Sequence, residues 1–236
     1  MESSTPPPRK KDGRRERTAK AISDAASALF FDQGVARTTI DEIAETAGVS
    51  VGSVYVHFGS KEALYLALVE DAAAVNAQYV AEAQPSDSPL ERVFNAGEAY
   101  VRFAMEQPIQ FRLISMQVNQ QNSSPELEAA RQRITERVEG RLTAIGLDLA
   151  LAMEAGEIDH LPVETAVKFL WATWTAVISL TLRTDRLRIS PEEMRATLQI
   201  ASNVLSRGLG RPIGASELFA DLDPAAVADR PAQDDD

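Results

Sequence analysis

The residues with the clearest chemical role in this sequence lie between positions 38 and 62, where a glycine turn joins two short helix patterns. The outward positions of the second pattern carry small side chains first and longer polar ones after them. Small residues let a helix approach a groove closely, and polar side chains reach phosphates and base edges. The segment therefore predicts a helix-turn-helix that binds DNA, with an outward face formed by Gly52, Ser53, Tyr55 and His57.

Local signals mark where each helix of this pair begins and ends. Thr39 followed by Glu42 fits a capping box, in which each side chain satisfies a backbone N–H group of the other residue. Apolar residues then repeat at helical spacing until Gly48, which suits the left-handed conformation that ends a helix and turns the chain. Ser50 is placed to cap the second helix, whose inward positions are Val51, Val54 and Phe58.

Several of these side chains suit a structural role as well as a DNA contact. Thr39 is needed as a cap with or without DNA, and an isolated Tyr55 would suit a half-buried core position. Lys61 follows Ser60 at the start of the next helix, where a cation and the first amides favour a phosphate, but a lone lysine can equally be a solvated charge. Within this motif we favour DNA contact for Tyr55, His57 and Lys61.

Four runs occur in a distinctive order and spacing: residues 30–34 (FFDQG), 38–40 (TTI), 43–50 (IAETAGVS) and 55–64 (YVHFGSKEAL). Together they resemble the DNA-binding domain of the TetR (tetracycline-repressor-like) family of bacterial transcription regulators, over about residues 19–68. Val51 and Val56 depart in chemistry from a polar base-reading set, so the operator sequence stays open. The resemblance implies that DNA is contacted by Thr39, Ser50, Gly52, Ser53, Tyr55, His57 and Lys61, and we add Val51 to the predicted set.

The composition limits the other classes of function. A chain of 236 residues with 44% apolar content can bury a substantial core. It contains no cysteine and two histidines, which excludes disulfides, thiol nucleophiles and Cys/His zinc sites. There is no Gly-rich phosphate loop, no metal-ligand cluster and no nucleophile placed beside His57 or His160. We expect no cofactor, no metal and no enzymatic activity, in a cytoplasmic protein whose N-terminus lacks a signal peptide.

Charge is unevenly distributed along the chain, whose net charge is −11. Residues 1–20 hold seven basic against three acidic side chains, whereas residues 221–236 hold six aspartates against one arginine. We expect residues 1–18 to form a disordered basic arm, which either tracks DNA phosphates or only solubilises the chain, and residues 211–236 to form a disordered acidic tail. The apolar run 169–182 is shorter than the ~20 residues that span a bilayer, so we expect a buried helix and no membrane partner.

Helical periodicity without a competing strand pattern predicts an all-α fold. Residues 19–66 are expected to form a three-helix DNA-binding domain, and residues 67–210 a helical domain for ligand binding and dimerisation. A connecting helix from Ser60 to about Ala83 joins the two. Further helices are expected over about 90–107, 108–119, 125–155, 163–183 and 191–207, with prolines opening or preceding four of them.

The last two helices predict self-association. The helix over 163–183 is apolar around most of its circumference, so it needs cover from its own domain and from a partner subunit. A two-fold dimer would place two recognition helices about one DNA turn, or a small multiple, apart on a palindrome. The resemblance implies a four-helix dimer interface, for which we name Trp174, Ile178, Leu198, Ala201 and Leu205.

The resemblance also implies a small-molecule site in the C-terminal domain. Its candidate lining residues serve equally well as plain core, since a helical core requires aromatic residues and Met at this spacing. We predict a homodimeric repressor that a small, largely apolar effector releases from a palindromic operator. The alternative is a helical scaffold or adaptor with the same fold that no longer binds DNA specifically. The candidate ligand-binding residues are Phe103, Phe111, Met116, Met153, Trp171 and Trp174.

Overall fold

The computed structural model describes residues 10–115 and 124–208, which form a bundle of α-helices. No strand occurs within these two ranges, and the predicted all-α class is confirmed. In chain order the helices are α1 (Lys10–Gln33), α2 (Ile40–Thr46), α3 (Val51–Phe58), α4 (Lys61–Ala81), α5 (Pro89–Glu106), α6 (Pro108–Ser115), α7 (Pro125–Glu154), α8 (Val163–Ser179) and α9 (Pro191–Gly208).

Serine-proline pairs set the beginnings of three of the later helices. Ser88, Ser124 and Ser190 each precede a proline at the first helical position, and each hydroxyl accepts a hydrogen bond from the backbone N–H three residues on. A proline is tolerated there because the first N–H groups of a helix have no partner within it. The predicted starts of α5, α7 and α9 therefore agree with the structure to within one residue.

Helix α1 begins at Lys10, so residues 10–18 are helical where we expected a disordered arm. The arginines of this segment are good helix formers. Farther along, the Thr18 hydroxyl donates to the Arg14 carbonyl at 3.0 Å, and Lys20 and Asp24 pair one turn apart at 2.6 Å. Residues 1–9, the predicted end of the sixth helix at residue 119 and the acidic tail over 211–236 lie outside the described residues.

Helix α8 ends at Ser179, and Leu180–Leu182 form a 3-10 turn in place of the α-helical end predicted near residue 183. The Ser179 hydroxyl donates to the Thr175 carbonyl at 2.7 Å, and the Thr181 hydroxyl donates to the Ile178 carbonyl at 2.8 Å. Hydroxyl groups that bond back to the preceding turn compete with the regular helical ladder and favour a tighter last turn.

Helix α4 takes part in two hydrophobic cores. Its N-terminal half packs with α1, α2 and α3 and with Leu113 of α6. Its C-terminal half, through Val75 and Tyr79, packs against a second core that includes Phe103 of α5. A third core, around Leu149, joins α5, α7 and α8. The helix that leaves the N-terminal unit is therefore also a wall of the C-terminal bundle.

Helix α6 connects the same two parts of the molecule from another side. The buried Tyr65 hydroxyl on α4 donates to the Leu113 carbonyl at 3.2 Å, and burial raises the pKa of Tyr65 to about 12. The Arg112 guanidinium lies over the Phe31 ring of α1, 5.2 Å from its centroid. Helices α1, α4 and α6 are thus held together by polar as well as apolar contacts.

We expect Tyr65→Phe to lower the free energy of unfolding by about 1 kcal/mol, because the Leu113 carbonyl loses a buried donor. Denaturant unfolding measures this loss. Tyr79→Phe is the matched control, since the Tyr79 hydroxyl donates to Glu106 at an exposed position and its removal should have a smaller effect. Equal losses in the two variants would contradict a special role for Tyr65.

The raised pKa of Tyr65 also predicts a pH dependence. An unfolded tyrosine ionises near pH 10, whereas the folded pKa of Tyr65 is about 12, so the fold favours the neutral phenol. The contribution of this group to stability is complete below about pH 10 and is lost as pH rises toward 12. Unfolding free energies of the wild type should fall over that interval, and those of Tyr65→Phe should fall less.

Candidate functional site

The start of α2 is fixed by the predicted capping box. The Thr39 hydroxyl accepts a hydrogen bond from the Glu42 N–H at 3.2 Å, and the Glu42 carboxylate accepts one from the Thr39 N–H at 2.7 Å. The Thr39 N–H and the Thr39 hydroxyl, which donates to the same carboxylate at 2.9 Å, hold the pKa of the Glu42 carboxyl below its ordinary value. Thr39 is nevertheless exposed, so it caps α2 and also lies at the surface.

The turn from α2 to α3 depends on Gly48, whose φ of 65° is rarely adopted by residues with a side chain. Ser50 then caps α3, and its hydroxyl accepts a hydrogen bond from the Ser53 N–H at 3.2 Å. Val54 is 1% exposed and packs α3 into the N-terminal core. The orientation of α3 is therefore set by Gly48, the Ser50 cap and the packing of Val54, with the partly buried Val51 and Phe58 beside it.

Helix α3 presents Gly52, Tyr55 and Val56 to solvent. Tyr55 is 51% exposed and Val56 is 76% exposed, while the exposed Gly52 leaves the backbone open to close approach. Their spacing of three and four places them on one helix face. Ser53 and His57 are half-buried. Of the four residues predicted for the outward face, Gly52 and Tyr55 are therefore exposed at its centre, whereas Ser53 and His57 are less exposed.

The exposure of side chains on α3 differs from what the predicted DNA-binding set implies at two positions. Val51 packs its half-buried side chain against the N-terminal core, where it covers the helix pair. Val56, which the predicted set left out, is the most exposed apolar side chain of α3. The spacing of Gly52, Tyr55 and Val56 places Val56 on the exposed face, and contact of these residues with DNA stays a prediction.

Lys61 has a structural role that the sequence did not indicate. Its ammonium group donates to the Val35 carbonyl at 2.9 Å and to the Thr38 carbonyl at 2.8 Å. Both carbonyls belong to the loop between α1 and α2, and Thr38 itself is fully buried. The cation therefore ties this loop to the first turn of α4. Contact of Lys61 with a DNA phosphate stays a prediction.

A cavity of about 300 Å³ lies between α4, α5, α7 and α8. The Trp174 indole packs against the α5 backbone at Gly97, where an added Cβ would stand 2.7 Å from its Nε1 atom. A larger residue at position 97 would therefore displace Trp174 from the wall. Much of the wall is apolar or aromatic, including Phe94, Tyr100, Leu142, Leu170, Trp171 and Trp174.

Only part of the predicted ligand-binding set lines this cavity. Trp171 and Trp174 do. Phe103 and Phe111 are 0% exposed and pack against each other in the second core. Met153 is buried in the third core. These three are core residues rather than lining residues, because their side chains are enclosed by neighbouring helices. Met116 lies outside the described residues.

The cavity also contains polar groups that the sequence did not single out. Arg92 donates from Nε and Nη2 to Asp148 Oδ1, at 2.8 and 2.6 Å. Asn76 is 0% exposed, and neither its amide nitrogen nor its amide oxygen has a hydrogen-bond partner. Arg141 also lines the cavity, and burial lowers the pKa of its guanidinium. Single polar residues within amphipathic helices form no pattern in a sequence, so Asn76 and Arg141 were missed.

Three of the five residues predicted for the dimer interface are buried within the single chain. Trp174, Ile178 and Leu198 are 7%, 1% and 6% exposed, because α8 and α9 pack these side chains against their own bundle. Ala201 is half-buried, and the side chain of Leu205 lies outside the described residues. Within the described residues, the large apolar side chains that α8 and α9 expose are Phe169, Trp171, Ile200 and Val204.

Helix α8 with its 3-10 turn, Val163–Leu182, is the one segment of the described ranges long and apolar enough to cross a membrane by length and composition. One side of it buries Val167, Trp174 and Ile178 in the bundle. The opposite side leaves Phe169 exposed. The single chain therefore does not cover this helix completely.

Comparison with known proteins relates the N-terminal unit to bacterial regulators. Residues 22–68 match the family described as bacterial regulatory proteins, tetR family. The A-factor receptor protein of Streptomyces griseus is 33% identical over 90 residues, which are 38% of this chain and 31% of that protein. The chain spans about a third or less of the length of the curated relatives that it matches first.

Solved structures share the fold along most of the chain. A tetR-family regulatory protein from Rhodococcus RHA1 has a TM-score of 0.66 at 22% identity, covering 83% of this chain and 98% of its own. NalD, the secondary repressor of the MexAB-OprM multidrug efflux pump in Pseudomonas aeruginosa, has a TM-score of 0.64 at 25% identity, covering 86% and 100%. Residues 22–68 therefore form a TetR-family segment, in a chain that shares the fold of solved members.

The TetR-family segment contains all eight predicted DNA-contacting residues, from Thr39 to Lys61, and none of the residues that line the cavity. The relatives in these comparisons are named as regulators or receptors, and TetR-family regulators are not enzymes, as we expected for this chain. Within residues 10–115 and 124–208, no group of three or more His, Asp or Glu side chains could hold a metal ion.

We expect Lys61→Met to lower the free energy of unfolding by about 1–3 kcal/mol, because the Val35 and Thr38 carbonyls lose a charged donor while the apolar stem is kept. Denaturant unfolding measures the loss. Lys168→Met is the control, since Lys168 makes only an exposed pair with Glu164 and should change stability by less than about 0.5 kcal/mol. A Lys61→Met variant as stable as this control would contradict the structural role.

Proposed function

We propose that this chain is a ligand-responsive transcription regulator that binds a palindromic operator in the cytoplasm as a homodimer. The observation that carries the proposal is the capped helix α3, whose face of Gly52, Tyr55 and Val56 is exposed within the TetR-family segment. In this proposal residues 19–66 bind DNA, and residues 67–210 bind the effector and the second subunit.

Each residue of the α3 face has a chemistry that suits a DNA groove. Gly52 lets the start of the helix approach the backbone, and the Tyr55 hydroxyl reaches a phosphate or a base edge. Val56 offers the apolar contact that suits the methyl group of thymine. Contacts to phosphates are assigned to the surrounding set of Thr39, Ser50, Ser53 and His57, while Lys61 acts mainly by holding the loop before α2.

The exposed apolar side of α8 and α9 supports a homodimer. Phe169 is 55% exposed, Ile200 is 64% exposed and Val204 is 63% exposed. Exposed apolar clusters mark interaction surfaces, because leaving them in water forgoes the free energy of burial. A second copy that brings the same surface gives a two-fold interface of four helices.

The cavity supports control of DNA binding by a small molecule. Its wall includes α4, which begins at Lys61 directly after the recognition helix α3. We propose that an effector in the cavity favours a position of α4 in which the two recognition helices of a dimer no longer match the groove spacing. Ligand and DNA then weaken each other by the same factor. That NalD is named a repressor supports the same sign of regulation here.

Selection of bound duplexes from a random DNA pool, at a stated near-physiological salt concentration, tests the proposal. We expect a palindrome, because a two-fold dimer reads two equivalent half-sites. A salt concentration must be stated because phosphate contacts make affinity salt-dependent. Recovery of no consensus would contradict the proposal and favour a helical adaptor that has lost specific DNA binding.

We expect Tyr55→Ala to weaken binding to the selected duplex by about 1–3 kcal/mol, the value of a good side-chain contact in a groove. Fluorescence anisotropy measures the affinity, and circular dichroism checks that helicity is unchanged. Leu187→Ala is the control, because Leu187 is 59% exposed in the loop between the 3-10 turn and α9. Full affinity in Tyr55→Ala would show that the DNA interface is misplaced.

A crossed pair of substitutions separates dimerisation from DNA contact. Ile200→Asp places a charge on the proposed subunit interface and should give monomers in analytical ultracentrifugation. Val56→Asp makes the same type of change on α3 and should leave the dimer intact while it abolishes operator binding through repulsion by phosphates. The dimer assignment is wrong if Ile200→Asp and Val56→Asp have the same mass in solution.

A further inference from the structure

The cavity wall carries more positive than negative side chains. Two arginines and one aspartate line it. The carboxylate of Asp148 is held by both Nε and Nη2 of Arg92. Among the residues that the structure describes, no carboxylate forms an ion pair with Arg141. Arg141 keeps its charge in proteins, so within the described residues the cavity presents one positive charge without a carboxylate partner.

Asn76 adds an unsatisfied polar group to the same wall. Its side chain is fully buried, and both its donor and its acceptor lack a partner. Buried amides are rarely left in this state, because desolvation without a hydrogen bond is unfavourable. Of the buried polar side chains in the described residues, Thr38 is bonded to the Gly34 carbonyl, whereas Asn76, which lines the cavity, has no partner.

The rest of the wall suits an apolar molecule. Apolar and aromatic lining residues come from α8 and α5: Leu170, Trp171, Trp174, Phe94 and Tyr100. Its volume of about 300 Å³ lies at the lower end of the range found for small-molecule sites. The cavity is therefore of modest size and mostly apolar, and its polar groups without partners, Asn76 and Arg141, lie on α4 and α7.

We propose that the cavity binds an amphipathic organic anion, with one carboxylate that pairs with Arg141 and accepts a hydrogen bond from the Asn76 amide, and an apolar body that packs against Trp171 and Trp174. This inference rests on the proposed function, since it specifies the effector class of the same cavity. It adds a charge requirement to an effector that we expected only to be small and largely apolar.

Other charge types fit the cavity less well. An organic cation would meet Arg141 without a free carboxylate, because Asp148 is already paired. A neutral molecule would leave the Arg141 guanidinium desolvated and uncompensated. A carboxylate matches the fork of donors on a guanidinium and forms stronger hydrogen bonds than a neutral group does. The geometry therefore favours a single negative charge.

Tryptophan fluorescence gives a direct measurement of cavity occupancy. The chain contains two tryptophans, Trp171 and Trp174, and both line the cavity. The probes are octanoate, 1-octanol and octylamine, which share a chain length and carry a negative, no and a positive charge at neutral pH. We expect the full-length wild type to bind octanoate about tenfold or more tightly than either of the others.

Variants at position 141 test which group recognises the charge. Arg141→Gln should remove the preference for octanoate over octanol, and Arg141→Lys should restore part of it. Arg137→Gln is the matched control, because Arg137 is one turn earlier on α7, exposed, and outside the cavity lining. Asn76→Leu should weaken octanoate binding while it raises thermal stability, since it removes an unsatisfied buried amide.

The outcomes distinguish this inference from the proposed function. Equal or tighter binding of octanol or octylamine, binding of none of the three probes at millimolar concentration, or an unchanged octanoate preference in Arg141→Gln would overturn the assignment of an anion site. Each of these results is obtained without DNA. Octanoate selectivity that depends on Arg141, together with no effect of octanoate on operator affinity, would keep the site and reject its role as the effector switch.

Discussion

The burial of helix α4 in two cores at once is the constraint on which the rest of the structure depends. Leu64, Leu68 and Val69 pack with the three helices that precede α4. Asn76 and Val80, farther along the same helix, form part of the cavity wall. From Ser60 to Asn76 the axial distance is about 24 Å at the rise of an α-helix. A small rotation of α4 at the cavity therefore becomes a larger displacement of α3.

Such a rotation moves the N-terminal unit as one body, because α4 is bonded to it at its first turn. Lys61 holds the loop before α2, and Tyr65 holds Leu113 of α6. Helix α6 in turn contacts α1 through Arg112 and Phe31. Since these polar contacts join α1, α4 and α6, we expect a movement of α4 to carry the recognition helix with it.

The sequence predicted the N-terminal unit well because its signals are local. The Thr39–Glu42 capping box, the glycine at position 48 and the Ser50 cap each concern residues within three or four positions of one another. The all-α fold and most helix ends were predicted for the same reason. Lys61 shows the limit of this approach, since its bonds reach back 23 and 26 residues to carbonyl groups that carry no sequence signal.

The buried side of the C-terminal helices was harder to predict, because apolar residues lie on more than one side of α8. A helix with one apolar stripe shows which side is buried, whereas α8 is apolar on opposite sides and gives no such choice. Trp174 and Ile178 were therefore assigned to the subunit interface although they are buried in the chain, and Phe169 was left out although it is exposed. Arg141 and Asn76 were missed because their importance arises only from the cavity that they share.

The unpartnered polar groups of the cavity, Asn76 and Arg141, lower the stability of the folded chain. A buried amide without partners is unfavourable by about 1–3 kcal/mol, a noticeable share of the 5–15 kcal/mol that stabilises a typical domain. An apolar residue at position 76 would avoid this loss and still fit an apolar wall. An apolar residue at position 141 would likewise avoid a loss of stability, because burial disfavours the charge of Arg141. A molecule that supplies the missing partners recovers this free energy on binding, and because one of the groups lies on α4, the recovery depends on where α4 stands.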